Sequence, residues 1–311
     1  MKRVHTGDWH IKIPEKHEKW YINRLVRFFK TILDEDGDEL LITGDIFDKV
    51  PSALEIGLFI AFIQDVKCPI YIVAGNHDRT KKTGTKRADY LGNILHFCDF
   101  PNVTWTTEDI LESGEYVMVP NYYIRQKKEI PVNKDKILLS HIRHEIKYAK
   151  AEYDLELLKG FKQVLLSDIH TTIQYAGNIF YSTSPYRTTK QTVKDVKDVD
   201  NDNFGYNRVF NNRLEHRSLH LPNHYILKVQ EKIKLPETED LFDIEYEIPF
   251  DKLDEFKGEN VVIQRDNTEL ELNEDVYKVI EEILTKDYKI TKPQNYINLL
   301  IEIIGDVQNA G

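Results

Sequence analysis

Leu40-Leu41-Ile42-Thr43-Gly44-Asp45-Ile46-Phe47-Asp48 is the stretch that decides the fold. A short apolar run reads as a buried strand, and a glycine then turns the chain into two aspartates three residues apart. The same grammar recurs along the chain. Lys2–Thr6 runs into Gly7-Asp8-Trp9-His10, Ile70–Ala74 into Gly75-Asn76-His77-Asp78, and Val164–Ser167 into Asp168-Ile169-His170. Between the first three strands lie two helix-like segments. Residues 14–34 begin at Pro14, a good first-turn residue, and repeat Tyr21, Leu25, Phe28, Phe29 and Ile32 at helical spacing. Pro51 opens a second helix reaching about Val66. Strand, helix, strand, helix, strand predicts βαβ units with helices on the sheet faces. In open α/β sheets, sites form at the carboxyl ends of strands, which is where all the polar clusters fall.

Further strands are expected at 102–106, 116–119 and 136–140, the last delivering His141, and at 179–182, 206–210 and 214–219. Residues 193–203 read as a polar loop. From about residue 229 the character changes. A strand-like 242–248 and 260–264, a helix over 273–285 and a last helix over 295–307 suggest a small α/β cap domain. The expected division is therefore 1–228 and 229–311.

The chain has 311 residues with a formal charge of −10, 41% hydrophobic and 11% aromatic, enough for a large domain and a smaller one. The charge is uneven. From residue 229 onward there are nine Lys+Arg against 21 Asp+Glu, leaving the first 228 residues at a formal +2. Nucleic-acid binding leans on Lys and Arg, and this partition weakens the objection that overall acidity raises. The N-terminus has no apolar signal-peptide core, and no run of about 18 apolar residues suggests a membrane span. Cys68 and Cys98 form no C-x-x-C pattern, and a reducing cytoplasm is the expected location.

Carboxylate and amide oxygens mixed with imidazole nitrogens suit a divalent first-row metal. Asp8 and His10 lie two apart and can reach one ion. Asp45 has two oxygens and a charge to share between two ions. Asn76 offers a neutral oxygen to the second, which His141 and Asp168 complete, while His170 completes the first. Two cations about 3.5–4 Å apart are a recurring device for hydrolysing phosphate esters. His77 is placed to protonate the leaving oxygen or steady transition-state charge. Taken singly, each cluster is as well explained by a turn or a helix cap. Four in order, each after a strand, are not.

This order (D-x-H, G-D-x-x-D, G-N-H-D, a lone His, then a paired motif) resembles the calcineurin-like metallophosphoesterase superfamily. Within it the chain is similar to the SbcD class, which includes the meiotic-recombination nuclease and bacteriophage relatives. The narrower likeness is carried by MKRVHTGDWHIK, by GDIFDKVPSA and by the segment from His170 through Ile179-Phe180-Tyr181-Ser182-Thr183-Ser184-Pro185. The resemblance implies an α/β fold, a two-sheet sandwich flanked by helices, with the smaller cap at the C-terminus. It implies two Mn2+ ions, with Mg2+ the other candidate. Asp8, His10, Asp45 and His170 would hold one, and Asp45, Asn76, His141 and Asp168 the other, with His77 as the catalytic histidine. It also implies a DNA exonuclease/endonuclease in repair or recombination, a homodimer and an SbcC-like ATPase partner, in the host cytoplasm for a bacteriophage protein. The family pair is usually G-H-x-H, so Asp168 stands where a histidine is expected. A carboxylate there should tighten binding of a hard cation and make bound water less acidic.

Around that centre, Asp48 is expected to orient a ligand histidine, and His144 is the fallback for His141. Arg79, Lys81, Lys82, Lys86 and Arg87 follow the catalytic histidine and are candidate DNA contacts to phosphates, with Tyr186 and Arg187 as lesser candidates. The apolar helix after Pro51 reads equally as buried core or as a dimer contact made with helix 14–34. The rival functions are a small-molecule phosphodiesterase or phosphatase on the same core, and a weakly active scaffold subunit.

Overall fold

The computed structural model describes residues 1–79, 89–126, 129–146, 150–170, 173–188, 191–193, 204–210, 213–229 and 240–246. Three strands follow the expected order: β1 (Lys2–Thr6), β2 (Glu39–Ile42) and β3 (Ile70–Val73). Next come β4 (Val103–Thr106), β5 (Leu111–Ser113), β6 (Tyr116–Val119), β7 (Ile137–His141) and β8 (Gln163–Ser167). The remainder are β9 (Ile173–Ala176), β10 (Ile179–Tyr181), β11 (Gln191–Val193), β12 (Gly205–Phe210), β13 (Arg213–Ser218), β14 (His224–Val229) and β15 (Leu241–Tyr246). The helices are α1 (Glu18–Leu33), α2 (Ala53–Asp65), α3 (Tyr90–Cys98) and α4 (Asn121–Arg125).

Two six-stranded sheets form, ordered β13-β12-β1-β2-β3-β4 and β5-β6-β7-β8-β10-β9. In both the middle is parallel, and antiparallel pairs lie toward the edges. Alternation along each strand explains the layering. Ile70 and Ile72 of β3 face the helices, while Val73 faces the second sheet with Leu41 and Val209. From the other side, Met118, Leu139, Leu165 and Phe180 close the same inter-sheet core. Val119, Leu138, Val164 and Leu166 bury the second sheet's outer face. The result is the expected α/β sandwich flanked by helices.

Helix α1 follows a 3-10 turn at Glu15–His17, so Pro14 starts the turn rather than the α-helix. Helix α2 begins at Ala53, two residues beyond Pro51, because Ser52 caps it. Glu55 N–H donates to Ser52 Oγ, and Ser52 N–H donates to Glu55 Oε2 at 2.7 Å. Ala53 through Ile63 are all buried within the single chain. An all-round apolar helix is what such a position requires, so core packing is the role the structure assigns to α2. Cys68 and Cys98 are free thiols. A third sheet, β11-β14-β15, is parallel and joins segments on either side of residue 229. The expected strand at 260–264 and the helices over 273–285 and 295–307 lie outside the described residues. Among the described residues, no helix is long and apolar enough to cross a membrane.

Candidate metal centre

The loops after β1 and β2 are zipped together beyond their strands. Asp8 N–H donates to Gly44 O at 2.9 Å, His10 N–H to Asp45 O at 2.9 Å and Ile11 N–H to Ile46 O at 2.8 Å. Trp9, between Asp8 and His10, points the other way. It is fully buried against Phe28, Phe29, Phe59 and Phe62, and its indole N–H donates to Thr6 Oγ1 at 3.0 Å. The core thus holds the loop from which both polar residues project. Six non-glycine residues among those described have left-handed backbone; Asp8, His10, Asp45, Asp168 and His170 are five of them. Such conformations cost of order 1–3 kcal/mol each and persist where the surroundings enforce them. Gly44 and Gly75 let the strand ends converge. At Gly44 φ is +95°, and a Cβ would stand 2.6 Å from His141 Nδ1; at Gly75 a Cβ would collide with Asp45.

Asp45 sits at the middle. Its Oδ2 lies 3.5 Å from His10 Nε2 and 3.3 Å from His141 Nε2, and its Oδ1 accepts from His77 N–H at 2.8 Å. His141 Nδ1 pairs with the Thr43 carbonyl at 2.8 Å, so with the proton on Nδ1 its Nε2 lone pair turns inward, 3.2 Å from Asp168 Oδ1. Asp168 N–H donates to Asp8 Oδ2, leaving Asp8 Oδ1 facing His170 Nε2 at 3.8 Å. His170 Nε2 is 3.2 Å from His10 Nε2, and its Nδ1 meets Thr188 Oγ1 at 3.2 Å. Asp48 Oδ1 stands 3.5 Å from His10 Nδ1, and Lys12 donates to Oδ2 at 2.8 Å. The Asp48 carbonyl pairs with His77 Nδ1 at 2.7 Å, so Asp48 steadies two histidines, one through its side chain and one through its backbone.

Two three-residue groups with ligand atoms mutually within 4.8 Å follow, Asp8/His10/His170 and Asp8/Asp45/His141, and a third is His10/Asp48/His77. Asp8 Oδ1, Asn76 Oδ1, His141 Nε2 and Asp168 Oδ2 are buried with no hydrogen-bond partner. Buried acceptors without donors are costly, and this set of oxygens and imidazole nitrogens fits divalent cations. The proton affinities agree. Burial pushes the His141 imidazole down, but Asp45 and Asp168 outweigh it and lift the group well above the usual histidine value. Burial would raise the Asp45 carboxyl, but His141 and then His10 and His77 hold it below the usual carboxylate range. Burial raises Asp8, against His170 and His141. The centre attracts protons where a cation would otherwise supply the charge.

Asp78 is a functional residue that the sequence reading passed over. Fully buried, it accepts from Ile46 N–H (2.9 Å) and Phe47 N–H (3.2 Å) on Oδ1 and from Gly75 N–H (2.8 Å) on Oδ2. It ties the Asp45 loop to the Asn76 loop. The signal was its place closing G-N-H-D. Arg79 is corrected as a DNA contact. Its guanidinium donates to the Thr107 carbonyl and Glu108 and lies 4.1 Å over the Tyr122 ring, with the residue 8% exposed. Tyr186 is likewise buried, beneath Arg24, and Arg187 lies over the Phe204 and Tyr225 rings. Lys81, Lys82, Lys86 and Arg87 lie outside the described residues. His144 packs against Tyr175 and Tyr181, away from the ligand cluster that His141 joins.

The family model described as Calcineurin-like phosphoesterase matches residues 1–163, and the chain belongs to that family. Among curated proteins it is 28% identical over 207 residues to "Probable exonuclease subunit 1" of Escherichia phage T5, covering 61% of each chain. It is 26% identical over 204 residues to the SbcD subunit of nuclease SbcCD from Bacillus subtilis (strain 168), covering 63% of this chain and 51% of that one. A third relative, the corresponding SbcD subunit from Staphylococcus epidermidis, is 36% identical over 100 residues, 29% of this chain and 25% of its own. The match thus spans about half to three-fifths of the length of the first two relatives. A solved structure, TT1561 of Thermus thermophilus, aligns with a TM-score of 0.42 at 14% identity, over 70% of this chain and 98% of that one.

Proposed function

We propose that this chain is the nuclease subunit of a DNA exonuclease/endonuclease acting in repair or recombination. It hydrolyses phosphodiester bonds with two divalent cations, Mn2+ by preference. Asp8, His10, Asp45 and His170 would hold one, and Asp45, Asn76, His141 and Asp168 the other. The observation that carries the reading is the set of buried, partnerless acceptor atoms converging around Asp45. When bound, the cations would polarise phosphoryl oxygens and supply a water-derived nucleophile at neutral pH. His77 has one nitrogen engaged by the Asp48 carbonyl, which fixes the ring and leaves Nε2 for the leaving 3′ oxygen. Lys81, Lys82, Lys86 and Arg87 would contact phosphates flanking the scissile bond. The names of the phage and SbcCD relatives support DNA as substrate, an SbcC-like ATPase as partner and a cytoplasmic setting, with the chain as a homodimer.

The test is cleavage of single- and double-stranded DNA with Mn2+ and Mg2+, beside bis-p-nitrophenyl phosphate and cyclic nucleotides. DNA cleavage dependent on Mn2+ is expected, and His77→Ala should lose about 10²–10⁴-fold in rate with metal uptake intact. Full activity in that variant would refute the role of His77. Cleavage of cyclic nucleotides but not DNA would refute the nuclease reading.

A further inference from the structure

Three carboxylates, Asp8, Asp45 and Asp168, crowd the centre, with Asp48 behind His10. A phosphate ester arriving there is itself an anion, and each uncompensated carboxylate repels it. Among the described residues, Arg143 is the guanidinium that reaches an acid of the centre. Its Nη1 stands 3.7 Å from Asp168 Oδ2 and its Nη2 3.4 Å from Glu152 Oε1. The first separation is too long for a hydrogen bond, and Arg143 Nε has no partner. Asp168 is oriented between the two sides, with Oδ1 turned inward to His141 and Oδ2 toward the guanidinium.

Glu152 supplies the mounting. It accepts from Asn121 Nδ2 at 2.9 Å and from Arg125 at 3.3 Å, and its own N–H donates to the Arg143 carbonyl at 2.9 Å. Asn121 also donates to the His141 carbonyl at 3.0 Å, so the mounting is continuous with the β7 end that carries a predicted ligand. Arg143 is therefore held at the rim by backbone and side chain. With its side chain 30% exposed, its donors are only partly used.

We propose that Arg143 is a substrate-binding residue: it takes a non-bridging phosphate oxygen on the Asp168 side of the centre and offsets the charge of that carboxylate. A planar fork of donors suits a phosphate. The inference rests on phosphate-ester hydrolysis as the activity and adds which side chain admits the anion.

The experiment compares the full chain with Arg143→Ala, Arg143→Lys and Arg125→Ala. With bis-p-nitrophenyl phosphate and Mn2+, Arg143→Ala should raise KM about tenfold or more, as loss of a charge-assisted hydrogen bond implies, with kcat little changed. Arg143→Lys should recover most of that KM. Arg125→Ala, which shares Glu152 without reaching Asp168, should leave KM unchanged. Calorimetry gives a readout apart from turnover. Inorganic phosphate should bind the Mn2+-treated Arg143→Ala protein correspondingly more weakly, while Mn2+ itself binds at least as tightly, because the group removed is a cation. An unchanged KM and phosphate affinity, an equal effect from Arg125→Ala, or lost Mn2+ binding would each overturn the proposal. If the unmodified protein hydrolyses no diester, the proposed function fails, and the phosphate isotherms still decide the role of Arg143.

Discussion

Replacing Asp78 by asparagine tests whether one buried carboxylate sets the spacing of the metal loops. The native side chain satisfies three backbone donors with two oxygens. Asparagine keeps one acceptor oxygen and turns an NH2 group toward whatever faced the other. The better orientation keeps Ile46 and Phe47 and sets the amide against Gly75 N–H, leaving one buried donor unmet at about 1–3 kcal/mol. Burial, with Asp45 adding to it, pushes the Asp78 carboxyl up to about 7. Below that pH little charge is removed by the substitution, so little is returned. For a domain of this size the loss corresponds to a fall in Tm of roughly 2–12 °C. Gly75 adjoins Asn76 and Ile46 adjoins Asp45, so Mn2+ affinity should fall as well. The assay is thermal unfolding by circular dichroism at pH 6 in EDTA, followed by a Mn2+ titration. A Tm within about 1 °C of the parent and an unchanged isotherm would show that the carboxylate is not the tie, since surface-like substitutions stay within about 0.5 kcal/mol.

Gly44→Ala should destabilise by about 1–3 kcal/mol or more and weaken metal binding, because its Cβ would press on His141 in a left-handed backbone; an unchanged urea midpoint would contradict this. His5 is fully buried, and burial lowers its pKa to about 3 from 6.5. The native state keeps it neutral while the unfolded chain takes up a proton, so stability is lost as pH falls from about 6.5 to 3, at up to about 1.4 kcal/mol per pH unit. His5→Gln should flatten the urea midpoint against pH over that window, and an identical slope would refute the assignment. Saturating Mn2+ at about 100 times its Kd should add about 2.7 kcal/mol to stability, removable by chelation. Because Asp45 and Asp168 hold a proton on His141 in the metal-free centre, Mn2+ should displace it and bind more tightly as pH rises; calorimetry in buffers of different ionisation enthalpy would reveal an absence of proton release. Ser52→Ala should cost about 1 kcal/mol through loss of the α2 cap, read as a lower Tm.

What the sequence revealed best was what local chemistry dictates. Apolar runs ending in Gly-Asp or Gly-Asn mark strands that stop where the backbone must turn sharply, and those positions are the ones the fold draws together. Helix α2, apolar on every side, announced a buried place without saying what would cover it; Phe29 and Phe62, stacked with ring centroids 4.4 Å apart, supply the answer. The short edge strands β5 and β9 carry no strong periodicity, and their partners are set by the sheet. Helix α3 went unread, though Asp89 caps it by accepting from Gly92 N–H at 2.9 Å. Arg79 shows the limit of charge as a guide. A cation beside a catalytic histidine suggests a phosphate contact, yet the Thr107 carbonyl and Glu108, 28 and 29 residues away, take it.

The predicted ligands are split between the sheets: Asp8, His10, Asp45 and Asn76 leave β1, β2 and β3, while His141, Asp168 and His170 leave β7 and β8. A folding intermediate with a single sheet formed would own half a chelator and gain little from the ion. Affinity would arise only once the layers have docked, after the rate-limiting barrier if docking comes late. Manganese would then act as a latch on the finished molecule, slowing its opening while leaving the refolding rate almost untouched.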